Sequence, residues 1–167
     1  MISCDDAILE RRARVLGDAL LAHGWQVALA ESCTGGWIAK VMTDIPGSSA
    51  WFDRGFVTYS NAAKREQLQL SQQILDTAGA VSRETVQAMV EGVFRHCGAD
   101  LAAAVSGIAG PGGGTPAKPV GTVWVAWGAR GRSMHAECLH LNGGREAIRR
   151  QTVARVLEGL QTLLESR

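Results

Sequence analysis

Along this chain the spacing of apolar residues changes repeatedly between a helical period and continuous strand-like runs, with glycine or proline at most changes. Ile8, Val15, Leu16, Ala19 and Leu20 form one apolar stripe and predict a first helix. Ser3-x-x-Asp6 resembles its capping box, with Asp where Glu is usual, and Gly24 is its expected end. Residues 25–29 then read as a buried strand, and residues 37–42 as a short helix that stops near Thr43 and Asp44, ahead of Pro46. Residues 48–52 predict another short helix, and residues 56–59 a second strand. Asn61 is the expected cap of a helix carrying Lys64 and Leu68.

The clearest helix begins at Ser82, where Val86, Met89, Val90, Val93, Phe94 and Cys97 share one face and Gly98 is the natural terminator. Residues 101–105 are small, apolar and continuous, as in a strand covered on both faces. Residues 106–119 hold five glycines and three prolines and predict a loop. Residues 120–127 and 133–141 read as strands joined by a short turn, hence an antiparallel pair, and an amphipathic helix from about Arg145 closes the chain. Strands alternating with helices, with one late hairpin, predict an α/β fold: a three-layer α/β/α sandwich around a mixed, mostly parallel β-sheet. With no repeat and no long linker, residues 1–167 are expected to form a single domain.

Composition narrows the function. Seventeen basic against sixteen acidic side chains give a net charge of +1, which removes the compositional argument for a nucleic-acid partner. No apolar run approaches the roughly 20 residues of a membrane span, and the acidic N-terminus lacks the features of a signal peptide, so a cytoplasmic location is expected. Cys4, Cys33, Cys97 and Cys138 form no CxxC pair and are expected to be free thiols. The histidines do not cluster; His135 and His140, five apart in a predicted strand, fall on opposite faces. No metal site is expected.

Candidate chemistry concentrates at Ala30-Glu31-Ser32-Cys33-Thr34-Gly35-Gly36, on a strand-to-helix turn where backbone N–H groups are free to bind an anion. Ser32 is either a nucleophile or, like Thr34, a helix cap. Cys33 is a rival nucleophile, its thiolate favoured by the helix dipole, or a small buried residue. Lys64 serves as a base only if burial depresses its pKa; otherwise it is a solvated helix residue. Tyr59 is the only tyrosine and a candidate to relay a proton or orient the lysine. The gap between Tyr59 and Lys64 and the missing Gly-x-Gly-x-x-Gly exclude a short-chain dehydrogenase. Ser106, Gly107 and Gly110 open a glycine-rich loop suited to close approach by a ligand, or simply a flexible connection. Arg145, after Asn142-Gly143-Gly144, is placed to clasp a phosphate or to lie on the surface.

Six blocks carry a resemblance across essentially the whole chain: Ala-Glu-Ser-Cys-Thr-Gly-Gly at 30–36, Pro-Gly-Ser-Ser at 46–49, Gly-Phe-Val-Thr-Tyr-Ser-Asn at 55–61 with Lys64, Gly-Ala-Val-Ser at 79–82, Ser-Gly-Ile-Ala-Gly-Pro at 106–111, and Lys-Pro-Val-Gly-Thr-Val at 118–123. Together they resemble the CinA C-terminal domain family. The resemblance implies, for a stand-alone member, hydrolysis of the carboxamide of nicotinamide mononucleotide to nicotinate mononucleotide and ammonia. It also implies a catalytic Ser32, Lys64 and Tyr59, and no cofactor. Amides of Thr34, Gly35 and Gly36 are the expected oxyanion donors; the glycine loop and Arg145 are the expected nucleotide contacts. Three alternatives stand beside this expectation: a non-catalytic nucleotide-binding module, an interaction partner in competence or recombination, and a thiol amidase using Cys33. Surface tryptophans among Trp25, Trp37, Trp51, Trp124 and Trp127 are candidates for an interface in a homo-oligomer.

Overall fold

In the computed structural model, which describes residues 4–166, the first helix is opened by Asp5, whose carboxylate accepts from the Ile8 amide at 2.9 Å. Ser3, expected as the cap, lies outside the described residues. Helix α1 (Asp6–His23) ends at Gly24, whose left-handed φ of 64° turns its N–H back to the Leu20 and Leu21 carbonyls. The chain continues through β1 (Val27–Glu31), α2 (Trp37–Thr43), a 3₁₀ turn (Ser48–Ala50) and β2 (Phe52–Val57). Helices α3 (Asn61–Leu68), α4 (Gln72–Thr77) and α5 (Arg83–His96) follow. Strands β3 (Leu101–Gly107), β4 (Thr122–Ala129) and β5 (His135–His140) and helix α6 (Arg145–Glu165) complete it.

One sheet has the order β2-β1-β3-β4-β5; β1 pairs in parallel with β2 and β3, and β4 antiparallel with β3 and β5. Only β4 therefore runs against the other strands. Residues on the two faces differ in size. Val27, Leu29, Leu101, Val105, Val125 and Trp127 pack beneath α1, α2 and α6. Ala28, Ala30, Ala102, Ala104 and Ala126 form a flat surface that α5 lies on, with α3 and α4 beside it. This is the expected three-layer arrangement. At Gly92 of α5 a Cβ would meet the Leu68 carbonyl oxygen at 2.6 Å, so glycine is what lets α3 seat closely against α5.

Several expected boundaries move. β1 lies two residues further on and ends in Glu31, a buried carboxylate that an apolar-run criterion stops short of. β2 starts at Phe52, paired with Val27, and stops at Val57, so Tyr59 is outside the strand. Ser60, not Asn61, caps α3: its hydroxyl accepts from the Ala63 amide. α5 ends at His96 with an extended Cys97, without a left-handed Gly98. The six-residue α4 was not expected, being too short to print an apolar stripe. β3 runs on through Ser106 and Gly107 before the loop begins. Trp51 and Trp127 are core residues and unavailable to an interface; Trp25, Trp37 and Trp124 are half-buried. Among the described residues, no helix is long and apolar enough to cross a membrane.

Candidate active site

The carboxyl ends of β1 and β3 meet where the chain's connections diverge: β1 leads over one face of the sheet to β2, and β2 leads back over the other face to β3. Open α/β sheets form a crevice at such a switch point. Ser32 sits there, one residue past β1, with its amide donating to the Val105 carbonyl at 3.1 Å. Thr58 flanks it on the other side, its amide donating to the Glu31 carbonyl at 2.8 Å.

Side chains alternate along the strand, so Ser32 follows Ala28 and Ala30 toward the α3–α5 face. There it meets Lys64, 1% exposed, from the first turn of α3. Lys64 Nζ donates to Ser32 Oγ at 3.0 Å and to the Thr58 carbonyl at 2.9 Å. Among the described residues no carboxylate pairs with this ammonium. Burial pushes its pKa below the ordinary lysine value of 10.5. Its place at the positive end of a helix dipole disfavours the charge further. A serine hydroxyl held against a buried lysine with only neutral acceptors can transfer its proton to that amine.

The opposite face of the same turn is built differently. Glu31, also 1% exposed, accepts four hydrogen bonds: from Thr34 Oγ1 at 2.6 Å, and from the amides of Gly36 at 3.0 Å, Ile38 at 3.1 Å and Ala39 at 2.8 Å. This carboxylate fills the start of α2 and stabilises it as a capping anion. The expected oxyanion donors are thereby corrected. The Gly36 amide is taken by Glu31, and the Gly35 amide by the Ser32 carbonyl at 3.0 Å. Among the described residues, the turn amides left without an acceptor are those of Cys33 and Thr34. Cys33 belongs to the α1–α2–α6 core, and burial pushes its thiol up to about 11, with Glu31 opposing the thiolate as well. The expected dipole-stabilised thiolate is disfavoured first by burial and then by Glu31, which occupies the helix end.

Tyr59 is 59% exposed, and its phenol oxygen accepts from Arg145 Nη2 at 2.8 Å rather than touching Lys64 or Ser32. Arg145, the first residue of α6, also donates from Nη1 to the Gly110 carbonyl at 2.7 Å, and so links Tyr59 to the glycine loop. Ser106 is buried on β3 on the same face as Ser32, beside Trp124, whose ring lies 5.5 Å from the Arg83 guanidinium. At Gly107 a Cβ would meet the Val123 Cβ at 2.9 Å, so this glycine is needed for strand packing. Gly110 acts through its carbonyl. Among the described residues, Thr58 Oγ1 and Thr122 Oγ1 are buried and have no hydrogen-bond partner.

Sequence reasoning missed Glu31, Thr58 and Arg149. Arg149 donates from Nε to the Cys33 carbonyl at 3.1 Å and from Nη2 to the Thr34 carbonyl at 2.9 Å. The signal for Glu31 was an acid directly after an apolar strand and three residues before a threonine; Arg149 is signalled only by its position four residues after Arg145. A cleft of about 630 Å³ lined by Gly35, Gly36, Trp37, Lys40, Arg149 and Arg150, among others, lies behind the turn and does not include Ser32 or Lys64.

The chain and its fold have known relatives. Solved structures with the same fold include the competence/damage inducible protein CihA of Agrobacterium tumefaciens, with a TM-score of 0.91 and 46% identity over 95% of this chain and 96% of that one. The nicotinamide-nucleotide amidohydrolase PncC of Pseudomonas putida is 55% identical over 148 residues, covering 89% of this chain and 92% of its own. PncC of Escherichia coli K12 is 50% identical over 157 residues, covering 93% and 94%. The model of the CinA C-terminal domain matches residues 9–164, and the chain belongs to that family.

Proposed function

We propose that this protein is a nicotinamide-nucleotide amidohydrolase that converts nicotinamide mononucleotide and water to nicotinate mononucleotide and ammonia. The observation that carries the chemistry is the 3.0 Å contact between Ser32 Oγ and the buried Lys64 Nζ, which pairs with no carboxylate among the described residues. The named activity of relatives at 50–55% identity supports the substrate.

Neutral Lys64 takes the proton of Ser32 as Oγ attacks the carboxamide carbon. The carbonyl oxygen becomes an oxyanion, for which the free amides of Cys33 and Thr34 are the donors. Collapse breaks the C–N bond, and the proton held by Lys64 leaves with the amine as ammonia. Water, deprotonated by Lys64, then attacks the Ser32 ester; as the ester C–O bond breaks, Lys64 returns that proton to Ser32 Oγ and the acid leaves, ionising to the carboxylate. The Thr58 carbonyl keeps Lys64 in place throughout. Among the described residues Arg145 donates to the Tyr59 phenol oxygen and the Gly110 carbonyl and pairs with no carboxylate, so a phosphate would complete its contacts. Tyr59 acts as its orienting contact at the mouth of the site. No step calls for a metal or a redox cofactor.

Ammonia release from nicotinamide mononucleotide by wild type and by Ser32→Ala, both shown to be folded, tests this reading. Release by wild type alone supports it. Equal release by both variants removes Ser32 as nucleophile, and release by neither removes the activity.

A further inference from the structure

Among the described residues, Arg149 is a cation bound to no acid. Its neighbour Arg150 pairs with Asp6 and with Glu146, the latter at 3.0 Å, whereas Arg149 donates only to the carbonyls of Cys33 and Thr34. Its guanidinium lies over the Trp37 ring at 5.2 Å, so a ring contact as well as two hydrogen bonds holds it in place. These carbonyls belong to the turn in which the Cys33 and Thr34 amides have no acceptor. The Cys33 carbonyl and the Thr34 N–H are the two ends of one planar peptide unit. A charged donor on the oxygen fixes the plane of that unit and draws electron density from its nitrogen, which makes the N–H a stronger donor. Glu31 holds the far side of the turn through Thr34 Oγ1 and the Gly36 amide, so the peptide is clamped from both ends.

We propose that Arg149 is a positioning residue for the oxyanion site: by clamping the Cys33 and Thr34 carbonyls it aims and strengthens the Thr34 amide toward the oxygen that becomes charged on attack by Ser32. This rests on the amidase reading above. The effect belongs to the transition state, because the ground-state carboxamide oxygen carries little charge. Its loss therefore appears in kcat, with the affinity for the nucleotide left intact.

The test compares wild type, Arg149→Ala and Arg149→Lys with nicotinamide mononucleotide as substrate, each with its melting temperature measured. Removing an oxyanion donor outright costs 10²–10³ in other enzymes, so loss of its clamp is expected to lower kcat of Arg149→Ala by about 30-fold, with KM within about twofold. Arg149→Lys keeps the charge and is expected to fall between the two. Millimolar guanidinium chloride, but not sodium chloride, is expected to restore part of the lost kcat in Arg149→Ala, which a merely structural role would not produce. An unchanged kcat, a loss confined to KM, or a loss that tracks a lowered folded fraction without guanidinium rescue overturns the proposal. Inactive wild type in the same assay would overturn the amidase reading itself, an outcome distinct from each of these.

Discussion

The two faces of the Ser32–Gly36 turn bury Lys64 on one side and Glu31 on the other, and treat them in opposite ways. On the α3 side, Lys64 is given two neutral acceptors, Ser32 Oγ and the Thr58 carbonyl, and burial drives its pKa down. On the α2 side, Glu31 is given four donors, three of them amides in or next to the first turn of a helix. A fully satisfied buried charge is structural, whereas an under-satisfied one is held in a state that exchanges protons readily. The strand alternation that sends Glu31 and Ser32 to opposite faces separates the helix cap from the proposed nucleophile within two residues.

The largest effect expected on the reactive side is that of Lys64→Met, which should lower kcat at least about 10³-fold while leaving the protein folded, as a nucleophile without its base does. The same variant sharpens the electrostatic side of the comparison. Because the folded pKa of Lys64 lies below 10.5, the unfolded chain binds the extra proton over the interval between the two values. Its contribution to stability therefore rises with pH across that interval. Urea titrations at pH values rising toward 10.5 should shift the difference between wild type and Lys64→Met in favour of wild type. A difference independent of pH would mean that Lys64 titrates as an ordinary lysine.

On the structural side, Glu31→Ala leaves three amides and the Thr34 hydroxyl without their acceptor. It is expected to cost about 3–4 kcal/mol in urea unfolding. A cost below 1 kcal/mol would show that water replaces the carboxylate and that the two faces differ less than their hydrogen bonds imply. Further from the chemistry, Arg145→Ala should raise KM for the nucleotide by about tenfold with kcat within a few-fold, and an unchanged KM would remove Arg145 from the site. The smallest effect is expected at Cys33, whose thiol is pushed up to about 11 by burial. Cys33→Ala should retain activity within about twofold, and the native thiol should resist alkylation at neutral pH.

How much of this was legible in the sequence depended on whether a residue acts locally. The helix from Ser82 and the strand at 101–105 announced themselves by period, because their burial is one-sided or complete over many residues. Ser32, Lys64 and Arg145 were legible as candidates, but the resemblance, not their local spacing, singled out Ser32 and Lys64. Their partners were not legible: Lys64 and Ser32 are 32 residues apart, and no spacing rule encodes that meeting across a sheet edge. Glu31 was passed over because a search for apolar runs ends at the first charge, although its charge is neutralised by the helix that follows. Arg149 looked like any arginine on an amphipathic helix, and only the fold shows it gripping the turn. Tryptophans at 51 and 127 read the same as those at 25, 37 and 124, since their letter carries no record of depth.

The pH dependence of kcat/KM for nicotinamide mononucleotide, run side by side for wild type and Ser32→Ala, probes the Ser32–Lys64 pair most directly. A base that must be neutral predicts activity rising with pH to a plateau, with an apparent pKa below 10.5, and no turnover by Ser32→Ala at any pH. A flat wild-type profile, or turnover retained by Ser32→Ala, would contradict a serine activated by a buried neutral lysine.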